Sequence, residues 1–165
     1  ILSLVTLLTH TGRLLHEPET LTSAATEWVG IGRVYDEAEC IDEAEAAWQR
    51  ALEEDTLPDD VAARLWREMA LRHKRAERWA PALAIWEDWA QRQPWAVEPL
   101  VERAKYYEWR NKALGRALDA TECALKRAAQ WPKGFARQRT LADLRHRQAR
   151  LQRKLDDNDT VSESE

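Results

Sequence analysis

The sequence predicts an all-α protein: a solenoid of about three helix-turn-helix repeats, led by an N-terminal helix and closed by a basic C-terminal capping helix. Three observations carry that expectation. A pattern of large and small residues, Trp28, Gly32, Tyr35, Ala44, Trp48 and Ala51, returns thirty-eight residues later as Trp66, Ala70, His73, Ala82, Trp86 and Trp89. Both copies have gaps of four, three, nine, four and three. Residues three and four apart share a helix face, so each copy reads as two facing stripes joined by a turn. Composition agrees, since 165 residues hold only five Gly and six Pro, are rich in Ala, Leu, Glu and Arg, and lack β-branched runs. Nine Trp can bury a large area, and Trp28, Trp48, Trp66 and Trp86 are expected in the core.

Helices are expected at about 1–16, 23–38, 41–54, 59–76, 79–92, 96–111, 113–130 and 135–155. The first is apolar on more than one side, through Ile1, Leu2, Leu4, Val5, Leu7, Leu8, Leu14 and Leu15. Thr22 or Ser23 can cap the second, and Asp59 the fourth. In the first hairpin, Gly32 and Ala44 let two backbones approach, while Trp48 and Tyr35 fill the gap to the next hairpin. Pro81 and Pro99 are tolerable only in first turns. A third, looser copy runs Leu100, Ala104, Tyr107, then Ala117 and Ala124 after one extra residue near Gly115, with Thr121 where a large ring is expected. The last helix carries Leu141, Leu144, Leu151 and Leu155 as one stripe that can seal the exposed end of the final hairpin. Breaks fall at 16–18, 56–58, 93–94 and 131–134, and the acidic, Ser-bearing stretch 156–165 is expected to be disordered.

The repeat spacing resembles that of tetratricopeptide (TPR) repeats, with copies at about 25–58, 63–96 and 97–131 inside a region of 22–132. The run 1–8, Ile-Leu-Ser-Leu-Val-Thr-Leu-Leu, followed by Gly12-Arg13-Leu14-Leu15, resembles the last helix of the RNase H-like exonuclease domain of bacterial YprB-type proteins. The stretch 104–110, with Ala117-Leu118 and Ala124-Leu125, is similar to that family's third hairpin, and 141–155 to its closing basic helix. This likeness implies a TPR-like region after a nuclease domain. It also implies that the metal-holding acids lie before Ile1, so the full-length protein would be a metal-dependent 3'-5' exonuclease while these 165 residues hold no catalytic site. The absence of an initial Met agrees with a cut through a larger protein.

Few residues suggest chemistry. A Gly-rich phosphate loop, a His-Glu-x-x-His pair, a nucleophile elbow and a calcium loop are all missing from the sequence. Cys40 and Cys123 form no Cys-x-x-Cys pair, which argues against zinc or redox work and suits a reducing cytoplasm. His10, His16, His73 and His146 are scattered, and His73 occupies an aromatic position of the repeat, where packing is the simpler role. Thr9, His10 and Arg13 interrupt the first apolar run well short of a membrane span of about 20 residues. No basic leader precedes that run, which argues against a signal peptide. No catalytic, cofactor-binding or metal-binding residue is expected here, and neither a membrane nor a small-molecule ligand.

Charge is distributed unevenly beneath a net value of -4. The segment 36–54 carries Asp36, Glu37, Glu39, Asp42, Glu43, Glu45, Glu53 and Glu54 against Arg50, a pattern for a solvated face or a basic partner. From 133 to 154 the sign reverses through Lys133, Arg137, Arg139, Arg145, Arg147, Arg150, Arg153 and Lys154, with Asp143 as the acid. Arg145, Arg147, Arg150 and Arg153 are therefore candidate phosphate contacts. A second candidate surface is the groove of the first helix in each pair, where Arg33, Arg64, Arg67, Leu71, Lys74, Val101, Lys105 and Trp109 are expected to face inward. Arg64 and Arg67 offer forked donors for an acidic peptide or a phosphate backbone, and Trp109 a stacking platform. The Lys and Asn set with which TPR domains clamp a C-terminal carboxylate is not supplied by Val29, Leu71, Glu98 and Glu102. Three readings stay open: a non-catalytic scaffold that binds a partner protein or positions nucleic acid, a free-standing TPR adaptor for peptides, and a nucleic-acid-binding module.

Overall fold

The computed structural model describes residues 24–162 and, ahead of them, Gly12. Seven helices order the described residues: α1 (Ala25–Glu37), α2 (Ile41–Glu53), α3 (Asp59–Arg75), α4 (Trp79–Arg92), α5 (Glu98–Trp109), α6 (Leu114–Gln130) and α7 (Phe135–Ser162). No strand occurs among them. Apart from Gly12, the expected helix over 1–16 and the caps proposed at Thr22 and Ser23 lie outside the described residues. The chain divides into two compact units, with the boundary inside α3 between Met69 and Ala70.

In the first unit, α1 packs against α2 through Trp28, Val29, Ile31 and Gly32 on one side and Ala44, Ala47, Trp48 and Ala51 on the other, all buried. A Cβ placed on Gly32 would sit 2.3 Å from the Trp48 indole. Gly32 is thus small because Trp48 lies on it, and the large ring fills a gap within its own hairpin, where the sequence suggested the gap to the next one. Trp48 is fully buried, whereas Tyr35 is half-buried.

The second unit holds the end of α3 and α4 to α7, with α4 against α5, α5 against α6 and α6 against α7. Its core joins Ala90, Val97, Leu100, Ala124, Ala128 and Leu144, with Val101, Leu125, Trp131 and Leu141 packed around them. Val101 therefore belongs to the core surround and not to an open groove. Arg127 reaches from α6 across the end of α4 and donates to the carbonyls of Ala90 at 2.9 Å, Gln93 at 3.3 Å and Ala96 at 3.0 Å. One guanidinium thereby ties the last turn of α4 to the connection that leads into α5. Leu144 and Leu151 of α7 are buried, as the leucine stripe requires. The helix continues to Ser162, past the end expected at Leu155, and Gln152 donates to Asp156 one turn on, at 3.1 Å, where disorder was expected to begin.

The four tryptophans assigned to the core are all buried, and so is His73 at its aromatic position. Thr121 is buried too, because its hydroxyl donates to the Ala117 carbonyl at 2.8 Å and so leaves no unmet donor. The turns after α1, α3 and α5 share one device: Glu39, Glu77 and Lys112 have φ of 61°, 56° and 55°. In the first two, the residue after the left-handed one donates back across the helix end, Cys40 to Tyr35 and Arg78 to His73 at 2.9 Å each, which is the Schellman arrangement. The third turn is a residue longer, and Ala113 reaches Tyr107 at 2.8 Å. The extra residue of the third copy thus lies before Leu114, earlier than the position near Gly115 suggested by spacing. Asp59 opens α3 as its first helical residue, and the carbonyl of Pro58 receives the first amides, from Val61 and Ala62 at 2.9 Å each. Asp59 is therefore not the cap, because Pro58 already occupies that place. Pro81 and Pro99 do fall in first turns.

Gly32→Ala is expected to lower thermal stability although Ala is the better helix former by roughly 0.5–1 kcal/mol, because its methyl enters the space of a buried indole. Gly32→Leu should cost more, about 1–3 kcal/mol or above for overpacking. Thermal melting checks both, and Trp48→Leu in the same chain should shrink the penalty of Gly32→Ala.

Candidate functional site

Four residues of α5, Glu102, Lys105, Tyr106 and Trp109, are spaced three, one and three apart and so lie along one side of the helix. With Lys74 at the end of α3, Trp79 and Trp86 of α4, Arg110 after α5, and Arg147 and Arg150 of α7, they line a cleft of about 410 Å³ in the second unit. α5 buries Leu100, Ala104 and Glu108 on one side and leaves Glu102, Lys105, Tyr106 and Trp109 along the side that lines the cleft.

Two carboxylates organise the cations. Glu102 accepts from Lys74 Nζ at 2.6 Å and from Lys105 Nζ. Glu108 has no exposed side-chain surface and accepts from three cations of α7: Arg150 at 2.7 Å, Lys154 at 2.8 Å and Arg147 at 3.4 Å. Burial pushes the Glu102 carboxyl up, but the hydrogen bonds and charges of Lys105 and Lys74 outweigh it and hold the group below the usual carboxylate range. Glu108 is the same case, with burial overcome by Lys154 and Arg150. Arg147 is pulled below the ordinary arginine value by burial and by the Arg150 charge, an effect that Glu108 and Glu102 oppose.

The rings are set by cations as well. Trp79 and Tyr106 lie with centroids 5.5 Å apart, and the Arg110 guanidinium sits 5.1 Å over the Trp79 ring while bonding Glu77 at 3.0 Å. Lys154 Nζ is 4.4 Å and Arg150 Cζ 5.8 Å from the Trp109 centroid. Trp109 nevertheless remains 61% exposed. Lys74, Lys105, Arg110, Arg147, Arg150 and Lys154 are thus bonded to three carboxylates, Glu77, Glu102 and Glu108, which leaves a local surplus of positive charge.

The residues singled out from sequence divide accordingly. Lys74, Lys105 and Trp109 come together in the cleft, joined by Arg147 and Arg150 from the other candidate set. These two arginines turn inward to Glu108, contrary to the expected outward ring: Arg147, Arg150 and Lys154 are three and four apart, share one side of α7, and all bond that buried carboxylate. Arg145 and Arg153 are exposed. Arg33, Arg64 and Arg67 are exposed in the first unit, and Arg64 is bonded to Asp60 at 2.6 Å in the preceding turn. The acidic residues Glu37, Glu39, Asp42, Glu43 and Glu53 are exposed, and Glu53 pairs with Arg50 at 3.3 Å. Sequence reasoning passed over Glu102 and Glu108 as site residues, and Trp79, Tyr106 and Arg110 with them. Glu108 did leave a signal: it extends the four-residue spacing of Leu100 and Ala104, so a carboxylate stood on a buried stripe and required cations from elsewhere.

No protein-family model matches the chain, and no curated protein matches it. Among the described residues, no group of three His, Cys, Asp or Glu is placed to hold a metal ion, and no helix is long and apolar enough to cross a membrane.

Glu108 is ionised more readily in the fold than at its ordinary value of 4.5, so its contribution to stability is present above that pH and is lost as pH falls below it. Glu108→Gln should cost roughly 2–4 kcal/mol at neutral pH, since it strips a buried carboxylate from partly exposed cations. Denaturant unfolding across pH checks this, and the difference between wild type and variant should shrink as the pH drops through the acid range.

Proposed function

We propose that this chain is a non-catalytic interaction domain, built from TPR-like helix pairs, that holds an anionic partner in the cleft of its second unit. The observation that carries this reading is the surplus of fixed positive charge beside an exposed indole in a chain whose net charge is -4. Opposite charge accumulated locally against the overall sign is what recognition of an anion requires, because the field at short range is set by neighbours and distant charges are screened. The preset ion pairs hold the cations in place before binding, which limits the side-chain entropy lost on association.

The same ion pairs disfavour a catalytic role for the acids at the site. A general acid or base works best with a pKa near the working pH, and Glu102 and Glu108 are both shifted away from it, downward. Placement after an RNase H-like nuclease domain is part of the proposal and is supported by the resemblance of residues 1–15, with that of 104–110 and 141–155 beside it. The coding sequence upstream of Ile1 tests it: a β-rich segment with spaced acids and an Asp just before Ile1 supports it, and a further repeat in that place refutes it.

The purified chain should be retained on phosphocellulose at low salt, and Lys74→Gln with Lys105→Gln should lower the salt needed to elute it. Flow-through of the wild type, or elution unchanged in the double variant, contradicts an anion-binding cleft. With Mg²⁺ or Mn²⁺ added, the same preparation should hydrolyse no nucleic acid; turnover abolished by Glu102→Gln would contradict the non-catalytic part.

A further inference from the structure

Resting on the reading of the cleft as the working surface, we infer that its occupant is a short run of single-stranded nucleic acid, with bases against Trp109 and Tyr106 and phosphates against Lys105, Arg147 and Arg150. Rings and cations interleave along the cleft. Lys105 and Trp109 are one turn apart on α5, Tyr106 meets Trp79 at 5.5 Å, and the two arginines enter from α7. A backbone of phosphates carrying flat bases needs both components side by side. An acidic peptide would engage the cations and leave the rings without a task.

The geometry of Trp109 adds a second reason. Lys154 and Arg150 lie 4.4 Å and 5.8 Å from the centroid of the indole, yet the ring stays 61% exposed. A ring fixed by cations and open to solvent is a platform, and it costs little further ordering when a base stacks on it. Unpaired strands are favoured over duplexes because a duplex hides its base faces in its own stack. The volume of about 410 Å³ admits a nucleoside-sized group.

The test is fluorescence anisotropy of the 165-residue chain with labelled oligothymidylate, the same length of duplex DNA, and labelled polyglutamate, at about 50 and about 200 mM NaCl. Oligothymidylate is expected to bind more tightly than the other two probes and to lose affinity about 20- to 50-fold between the two salts, as three or four phosphate contacts require. Trp109→Ala should weaken binding by about five-fold or more at either salt. Lys105→Gln should weaken it and flatten the salt slope by about 0.7, a readout that remains if Trp109→Ala disturbs folding. Polyglutamate binding that depends on Lys105, with no binding of oligothymidylate, overturns the inference and leaves the anion-binding cleft standing. Failure of all probes overturns both. Oligothymidylate binding indifferent to both substitutions also overturns the inference, since the strand would then lie elsewhere.

Discussion

An ionised carboxylate removed from water is destabilising by several kcal/mol unless other charges and donors replace the solvent it has lost. Glu108 is under that constraint, with no exposed side-chain surface, and the second unit is arranged to meet it. The three cations that answer it all come from α7, so the demand of one residue on α5 fixes the rotation and the position of a helix roughly forty residues later. Leucine burial at 144 and 151 supplies apolar attachment without direction. The ion cluster supplies direction, because guanidinium and ammonium donors must point at two oxygens. With α7 so set, Arg147 and Arg150 are delivered to the cleft and Lys154 to the face of Trp109.

The same economy of positions appears where helices turn. Left-handed residues at Glu39, Glu77 and Lys112 close three helix ends, and none is the glycine that such positions favour. The left-handed conformation is therefore held there by hydrogen bonds and packing, with Tyr35, His73 and Tyr107 supplying the accepting carbonyls. These three residues occupy the same place in the three copies of the sequence pattern. Glycine is instead spent at Gly32, where a neighbour's ring leaves no room for a methyl.

Two consequences bear on function. The cations of the cleft are held in place before any partner arrives, through Glu102 and Glu108, yet they outnumber their carboxylates. Pre-ordered donors with residual charge suit recognition of an anion better than proton transfer, which needs groups poised near the working pH. Arg127, equally basic in sequence, plays no part in this surface, because three backbone carbonyls in the last turn of α4 and the connection after it occupy its guanidinium. Basic composition alone would have counted it with the others.

Much of the helical framework was determined by the sequence itself. Apolar and small residues spaced three and four apart must share a helix face, so the helices, their turns and the buried positions of Trp28, Trp48, Trp66, Trp86 and His73 were legible from spacing. Helix ends were less so, since Pro58 in place of Asp59 opens α3 and α7 runs on through the acidic residues after Leu155. The site was decided only by tertiary structure. Lys74, Lys105 and Trp109 could be picked out one by one, but their union with Arg147, Arg150 and Tyr106 depends on side chains from separate helices converging. Periodicity describes one helix at a time and contains no term for the charge of a distant one. Which arginines turn inward was settled by Glu108, a buried acid whose partners lie about forty positions along the chain.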